Sequence, residues 1–126
     1  MNYPENLKYT SEHEWLREEN SEAVIGITSF AQKELGDIVF VDIDTEGETL
    51  TAGEKFGTIE AVKTVSDLYM PVSGEILSVN PVLETCPETI NKDPYGEGWM
   101  IRIQLNNPAE LNGLMSAVDY EDFTNE

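Results

Sequence analysis

The sequence predicts a mainly β fold that closes into a flattened barrel or a sandwich, with a short helix near residues 29–35 and a helical tail. Short runs of β-forming residues, separated by turn formers, fill most of the chain. A pattern at residues 36–41 (GDIVFV) returns 38 residues later at residues 74–79 (GEILSV). Such an echo is expected if two similar β units are related by an approximate twofold axis.

Segments with the composition of β-strands recur along the chain, and turn-forming residues separate them. They are residues 7–10, 14–17, 23–27, 37–43, 56–62, 65–70, 74–79 and 99–105. Residues 49–54 and 91–98 are predicted to be turns or loops. The last strand alternates cleanly, so one of its faces is expected to be buried. That face consists of Trp99, Ile101, Ile103 and Leu105.

Two stretches carry helix signals. Thr28 or Ser29 can cap a first helix of about two turns, and Gly36 is a suitable stop. The second helical segment spans residues 108–124, with a proline in its first turn and an interruption at Gly113. Its apolar side is expected to dock on the sheet. The residues expected on that side are Leu114, Met115, Val118, Tyr120 and Phe123.

Length and composition limit the class of protein. A chain of 126 residues is expected to form one domain, residues 1–126. The N-terminus has no features of a targeting segment, and the single cysteine, Cys86, suits a reducing compartment, so a cytoplasmic location is expected. No apolar run is long enough to span a bilayer.

The charge balance is strongly acidic. Twenty-five acidic residues against seven basic ones give a formal net charge of −18. Such a surface repels nucleic-acid phosphates and anionic lipids, which argues against both as ligands. Two interpretations remain open: a highly soluble, mobile protein, or one that is steered to basic patches on larger partners.

Lys63 stands alone as a cation between two β-compatible arms. One continuous strand over residues 56–70 would be far longer than the usual five or six residues. We therefore predict a hairpin that turns near Lys63 and Thr64 and exposes the lysine at its tip. Another enzyme could close over such a tip and modify the amine, although most exposed lysines are only solvated.

Other chemistry is sparse in the sequence. There is one histidine and neither a glycine-rich phosphate loop nor a serine nucleophile elbow, so no catalytic or metal site is predicted. His13, between Glu12 and Glu14, could titrate near neutral pH because carboxylates favour imidazolium, or it could be merely structural. The residues alone indicate a small acidic β domain that presents a lysine hairpin.

The segment around Lys63 resembles the lipoyl-lysine segment of the glycine cleavage system H protein family. The resemblance rests on residues 60–69 (EAVKTVSDLY) and 71–75 (PVSGE), and it extends to residues 9–15 (YTSEHEW) and to the tail. Here Ala61 precedes Val62, where the family more often has serine. The resemblance implies a barrel-sandwich fold of antiparallel sheets and lipoic acid bound to Lys63 as an amide.

What this resemblance implies about function is a shuttle without catalytic activity of its own. The family's carrier takes an aminomethyl group from a glycine decarboxylase that uses pyridoxal phosphate. It delivers this group to an aminomethyltransferase that uses tetrahydrofolate. Dihydrolipoamide dehydrogenase then reoxidises the arm. A lipoate ligase or a lipoyl or octanoyl transferase would load the cofactor.

The resemblance also assigns roles to further residues. Glu60, Gly47 and Asp67 match features that the lipoylating enzyme reads. Another set matches a segment that lies near the cleft sheltering the loaded arm, where acids could hold a protonated amine. This set consists of Glu12, His13 and Glu14.

Two alternatives to the glycine-cleavage carrier remain open. One is a lipoyl relay that donates the cofactor to other lipoyl domains, which the sequence does not separate from the first function. The other is a biotin carrier on the same fold. Biotin acceptors resemble Met-Lys-Met at the tip, whereas Lys63 lies between Val62 and Thr64, which argues against biotin.

Overall fold

The chain folds into two antiparallel sheets, as seen in a computed structural model that describes residues 3–125. The strands are β1 Lys8–Tyr9, β2 Glu14–Glu19, β3 Glu22–Ile27, β4 Ile38–Asp42, β5 Thr49–Leu50, β6 Lys55–Ala61, β7 Val65–Tyr69, β8 Gly74–Val79 and β9 Ile101–Leu105. The larger sheet has six of them in the order β1-β2-β3-β9-β8-β5, and the smaller has three in the order β4-β6-β7. The predicted sandwich of antiparallel sheets is confirmed.

The main hydrophobic core lies between the two sheets. Leu16 and Ile25 of the larger sheet belong to the same buried cluster as Ile59 and Leu68 of the smaller one. A second cluster lies beneath the C-terminal helix and is mostly aromatic, with Tyr9, Trp15 and Tyr120 at its centre. In β9, Ile101, Ile103 and Leu105 are buried in alternation with less buried residues, as the pattern predicts.

The echoed segments adopt the same backbone irregularity. The register of β4 shifts between Ile38 and Phe40, and the register of β8 shifts between Ile76 and Ser78. The shift marks a β-bulge at matching positions of the two patterns. Because β4 and β8 belong to different sheets, the echo corresponds to two similar units, one on each side of the core.

The first helix, α1, spans Ser29–Leu35 and confirms the prediction. The Thr28 hydroxyl accepts a hydrogen bond from the Ala31 N–H at 3.2 Å, so Thr28 is the cap and not Ser29. The chain leaves the helix at Gly36, where φ is +84°. This backbone conformation is accessible almost only to glycine.

Several boundaries differ from the prediction. Two helices of four residues, α2 Val82–Thr85 and α3 Thr89–Lys92, were not predicted. Residues 49–54 contain strand β5 as well as a turn, because Thr49–Leu50 pairs with β8. The last strand begins at Ile101, and Trp99 packs in the aromatic cluster instead.

The tail folds as two helical pieces. A 3₁₀ helix spans Pro108–Gly113 and the helix α4 spans Ala117–Thr124, with Ser116 as its cap. Ala117 and Tyr120 form the buried side of α4. Val118 was expected on that side but is 64% exposed. Consecutive residues of an α-helix point in different directions, so Val118 does not share the face of Ala117 and Tyr120. Within residues 3–125, no helix is long and apolar enough to cross a membrane.

Candidate functional site

Lys63 lies at the exposed tip of the hairpin formed by β6 and β7, as predicted. The Ala61 N–H donates to the Thr64 carbonyl at 2.8 Å and closes the tip. The Val62 N–H donates to the Asp37 carbonyl at 3.0 Å, which ties the tip to the loop between α1 and β4. The lysine is therefore exposed on a backbone that is fixed on both sides.

Asn91 of α3 holds the loop that supports the hairpin. Its amide nitrogen donates to the Gly36 carbonyl at 2.8 Å and to the Gln32 side-chain oxygen at 2.9 Å. Its amide oxygen accepts from the Ile38 N–H at 2.9 Å. The bonds to Gly36 and Ile38 fix the backbone on both sides of Asp37, whose carbonyl binds the tip.

The Lys63 side chain leans over Gly36. A Cβ atom added to Gly36 would lie 3.5 Å from the Lys63 Cε atom. The stem of the lysine therefore lies at about van der Waals distance from the space beside the Gly36 Cα atom, and the side chain is exposed to solvent.

A cleft of about 520 Å³ opens between α1, β7 and the start of β2. Its apolar lining consists of Ile27, Phe30, Ala31, Leu35, Ile59 and Leu68. Its polar lining consists of Glu12, His13, Glu14, Glu34, Ser66, Asp67 and Tyr69. The cleft therefore combines an apolar interior with several carboxylates, and its β7 wall begins three residues after Lys63.

Glu14 is a buried carboxyl group in the wall of this cleft and is only 2% exposed. Its Oε2 atom accepts from the Tyr69 N–H at 2.9 Å, and the Thr10 hydroxyl donates to its Oε1 atom at 3.3 Å. Burial raises the pKa of Glu14 to about 8, although both hydrogen bonds favour the charged form. At neutral pH the side chain is mostly protonated.

His13 is held between the cleft and α4. Its Nδ1 atom is 2.8 Å from the Tyr120 hydroxyl, which is also 2.8 Å from the Thr28 hydroxyl. Its ring lies against Phe30 at a centroid distance of 4.7 Å. Burial lowers the pKa of His13, and the nearby carboxylates of Glu12 and Glu34 oppose this effect without cancelling it. The carboxylates thus favour imidazolium, as expected, but burial is the larger effect and favours the neutral ring.

The predicted residues occupy three separate places around the hairpin. Glu12, His13, Glu14 and Asp67 line the cleft. Glu60 is exposed on the outer face of the small sheet. Gly47 lies in the turn before β5, where φ is +89° and its N–H donates to the Ile76 carbonyl of the larger sheet.

Some residues of the site were not predicted. Asn91 and Tyr120 reach it only through tertiary contacts, and the sequence around them carries no signal of that role. Asn91 stands in a stretch that resembles an ordinary loop. Tyr120 was predicted as part of an apolar face, but its hydroxyl also binds His13.

Sequence comparisons find relatives that match nearly the whole chain. The family described as Glycine cleavage H-protein matches residues 7–126. A glycine cleavage system H protein of Bacteroides fragilis is 60% identical over 125 residues, covering 99% of each chain. One from Symbiobacterium thermophilum is 54% identical, covering 99% of this chain and 98% of the relative.

A solved structure shares the fold over nearly the full chain. The crystal structure of a glycine cleavage system H protein from Mycobacterium marinum superposes with a TM-score of 0.90 at 39% sequence identity. The match covers 98% of this chain and 100% of the other. The chain thus belongs to the glycine cleavage H-protein family, with the role of a lipoyl carrier in the glycine cleavage system.

Proposed function

We propose that Lys63 carries lipoic acid as an amide and that the chain is a carrier without catalytic activity of its own. The observation that supports this most directly is the exposed lysine on a fixed hairpin beside a cleft, in a member of this family. When bound, the lipoyl group supplies a disulfide that can accept the aminomethyl carbon of glycine. The protein supplies the position, the shelter and the docking surfaces.

The cleft fits an arm attached to Lys63. Along β7, the wall from Ser66 to Tyr69 lies three to six residues from the lysine, or about 10 to 20 Å at the rise of a β-strand. Its apolar interior suits the hydrocarbon and ring of the arm, and its carboxylates suit an amine. In this proposal Glu12, His13 and Glu14 shelter the loaded arm.

Glu14 would respond to the charge of the arm. With no cation nearby, its raised pKa keeps the carboxyl mostly neutral at pH 7. A protonated amine that enters the cleft favours the carboxylate, because opposite charges at close range lower the pKa of an acid. Glu14 would then release its proton and hold the amine by a charge-assisted hydrogen bond.

The partners follow from the same role. We propose glycine decarboxylase, aminomethyltransferase and dihydrolipoamide dehydrogenase as the enzymes that the arm visits. A lipoate ligase or a lipoyl or octanoyl transferase would attach the lipoyl group to Lys63 and would recognise Glu60, Asp67 and Gly47. The chain would act as one lipoyl-carrier domain in the cytoplasm, whose reducing state suits its free cysteine, Cys86.

Reconstitution tests the shuttle directly. The loaded protein is mixed with glycine, tetrahydrofolate, the decarboxylase and the aminomethyltransferase, and ammonia is measured. We expect glycine-dependent ammonia with the wild-type chain and none with Lys63→Arg. If no ammonia forms while the lipoyl group passes to other lipoyl domains, the relay function is favoured. Capture of the native protein by streptavidin would instead favour a biotin carrier.

A further inference from the structure

A second cavity lies beside the cleft and shares a wall with it. It has a volume of about 520 Å³ and opens between the start of β2, the end of β7 and the loop before α4. Glu14 and Tyr69 line both cavities, whereas Thr10 lines only the second. We call this second cavity, which also has Met70 and Met115 in its lining, the rear groove. Glu14 thus stands between the cleft and the rear groove.

Thr10 binds both the backbone and the side chain of Glu14. The Thr10 N–H donates to the Glu14 carbonyl at 3.0 Å, and the Glu14 N–H donates to the Thr10 hydroxyl oxygen at 3.2 Å. The same hydroxyl donates to the Glu14 Oε1 atom at 3.3 Å. One side chain therefore fixes where the Glu14 carboxyl group lies.

The Thr10 hydroxyl suits both protonation states of this carboxyl group, because a hydroxyl can donate and accept hydrogen bonds. It donates to Oε1 when Glu14 is charged. When Glu14 is neutral, the hydroxyl oxygen can accept the carboxyl hydrogen and turn its own hydrogen towards water in the rear groove. The Tyr69 N–H, which binds the Oε2 atom at 2.9 Å, can only donate.

We propose that Thr10 is the positioning residue of Glu14, whose carboxyl group it holds in place as that group changes from neutral to charged around the amine of the arm. This inference rests on the proposed role of Glu14 in holding that amine. As the protonated amine enters the cleft, the proton of Glu14 passes through the Thr10 hydroxyl to water in the rear groove. The amine keeps its protons, and nothing is oxidised or reduced.

The surroundings of Glu14 offer it no strong counter-ion. Among the described residues that line the two cavities, none is a lysine or an arginine. His13 can become positive, but burial disfavours its charged form. The titratable groups that face Glu14 are Glu12 and His13 of its own loop, Tyr9 of β1, Glu34 of α1, Asp67 and Tyr69 of β7, and Tyr120 of α4. Until the amine arrives, hydrogen bonds alone stabilise a charged Glu14, so the loss of one acts directly on this form.

The test removes the Thr10 hydroxyl and then restores it. Thr10→Val keeps the branched shape without the hydroxyl, and Thr10→Ser keeps the hydroxyl. Thr45→Val is the matched control, because the Thr45 hydroxyl donates to the Phe56 carbonyl at 2.8 Å in another loop. Thermal unfolding of each variant checks that the fold is retained.

The first measurement uses the unloaded chain with ¹³C in the glutamate carboxyl groups. The Glu14 signal, assigned by its absence in Glu14→Gln, is followed by NMR over a pH series. We expect Thr10→Val to raise the pKa of Glu14 by about half a pH unit, because the charged form loses the stronger hydrogen bond. Thr10→Ser and Thr45→Val should titrate like the wild type.

The second measurement follows how long the loaded protein keeps its aminomethyl group. Lipoylated chain is loaded with glycine and the decarboxylase and then separated from the enzyme. Water that reaches the group releases ammonia and formaldehyde and leaves a free dithiol. Half a pH unit corresponds to about a threefold change in the ionisation of Glu14. We therefore expect ammonia to appear about threefold faster from Thr10→Val than from the wild type, and at the wild-type rate from Thr10→Ser.

Each outcome has a separate meaning. If Thr10→Val matches the wild type in both measurements, the inference is wrong and the proposed function stands. The same holds if Thr10→Ser shifts as much as Thr10→Val, because the packing of the loop and not the hydroxyl is then responsible. If Glu14→Gln keeps the aminomethyl group as long as the wild type, the proposed shelter by Glu14 fails and the inference fails with it. If the wild type cannot be loaded at Lys63, the proposed function itself fails.

Discussion

Glu14 introduces an acidic side chain into the wall of the cleft, where almost no solvent reaches it. Burial raises the pKa of its carboxyl group from 4.5 to about 8. Between these pH values the folded chain keeps a proton that the unfolded chain has lost. The contribution of Glu14 to the free energy of unfolding therefore falls as the pH rises through this window and is steady again above it.

Glu14→Gln should remove this pH dependence, because the amide is uncharged and has the shape of the protonated acid. We expect the variant to gain stability relative to the wild type as the pH rises from about 4.5 to about 8, by at most about 1.4 kcal/mol per pH unit. Urea unfolding over a pH series measures the difference. Parallel curves for the two proteins would show that Glu14 is charged in the folded state. Glu18→Gln, on the exposed part of β2, controls for the loss of a carboxylate.

Tyr120 joins the C-terminal helix to the cleft through one hydroxyl. Tyr120→Phe should lower the free energy of unfolding by about 1 to 3 kcal/mol, because the fully buried Thr28 hydroxyl and the His13 ring would each lose a hydrogen bond. Tyr69→Phe is the matched control, since its hydroxyl makes only an exposed bond of 3.4 Å to Asp67. Both variants are measured by urea unfolding. Equal destabilisation would mean that the hydrogen bonds of the Tyr120 hydroxyl stabilise the fold no more than the exposed bond of Tyr69 does.

At the scale of elements, the hairpin that presents Lys63 depends on α1, α3 and the loop before β4. Asn91→Ala would free the backbone around Asp37, which accepts the bond from Val62. We expect faster amide hydrogen exchange at Val62 and a loss of about 1 to 3 kcal/mol in the free energy of unfolding.

Asn80 provides the comparison for this prediction. It also makes three side-chain hydrogen bonds, to the carbonyls of Glu97 and Trp99 and to the Val82 N–H, but these hold another loop. Asn80→Ala should destabilise the fold by a similar amount and leave exchange at Val62 close to that of the wild type. If both variants speed exchange at Val62 equally, the effect is global and the support by Asn91 is not specific.

The strands could be predicted from their runs of β-forming residues between turn formers, and in one of them burial also follows a simple period. In β9 every second residue is buried, and in β4 and β8 the repeated pattern also carries the repeated bulge. The helices α2 and α3 could not be predicted, because four residues are too short for a helical period. Each of them buries one side chain, Leu83 or Ile90, so tertiary packing stabilises them.

At the scale of the whole molecule, the cleft arises only when the chain has folded. The bond between Tyr69 and Glu14 joins residues that are 55 positions apart, and the bond between His13 and Tyr120 joins residues 107 apart. The local sequence around one member of each pair does not indicate the other member. The sequence could therefore predict the lysine and its hairpin. It could not predict the hydrogen bonds that link Thr28 to His13 through Tyr120, or the protonation of Glu14.

The whole fold places one exposed lysine beside a sheltered cleft, so covalent loading of Lys63 is the central claim. Intact-protein mass spectrometry of the chain from cells supplied with lipoic acid tests it most directly. We predict a mass increase of one lipoyl group that fragmentation assigns to Lys63, that is lost in Lys63→Arg and that remains in Lys33→Arg. An unmodified chain, or a lipoyl group on another lysine, would contradict the account.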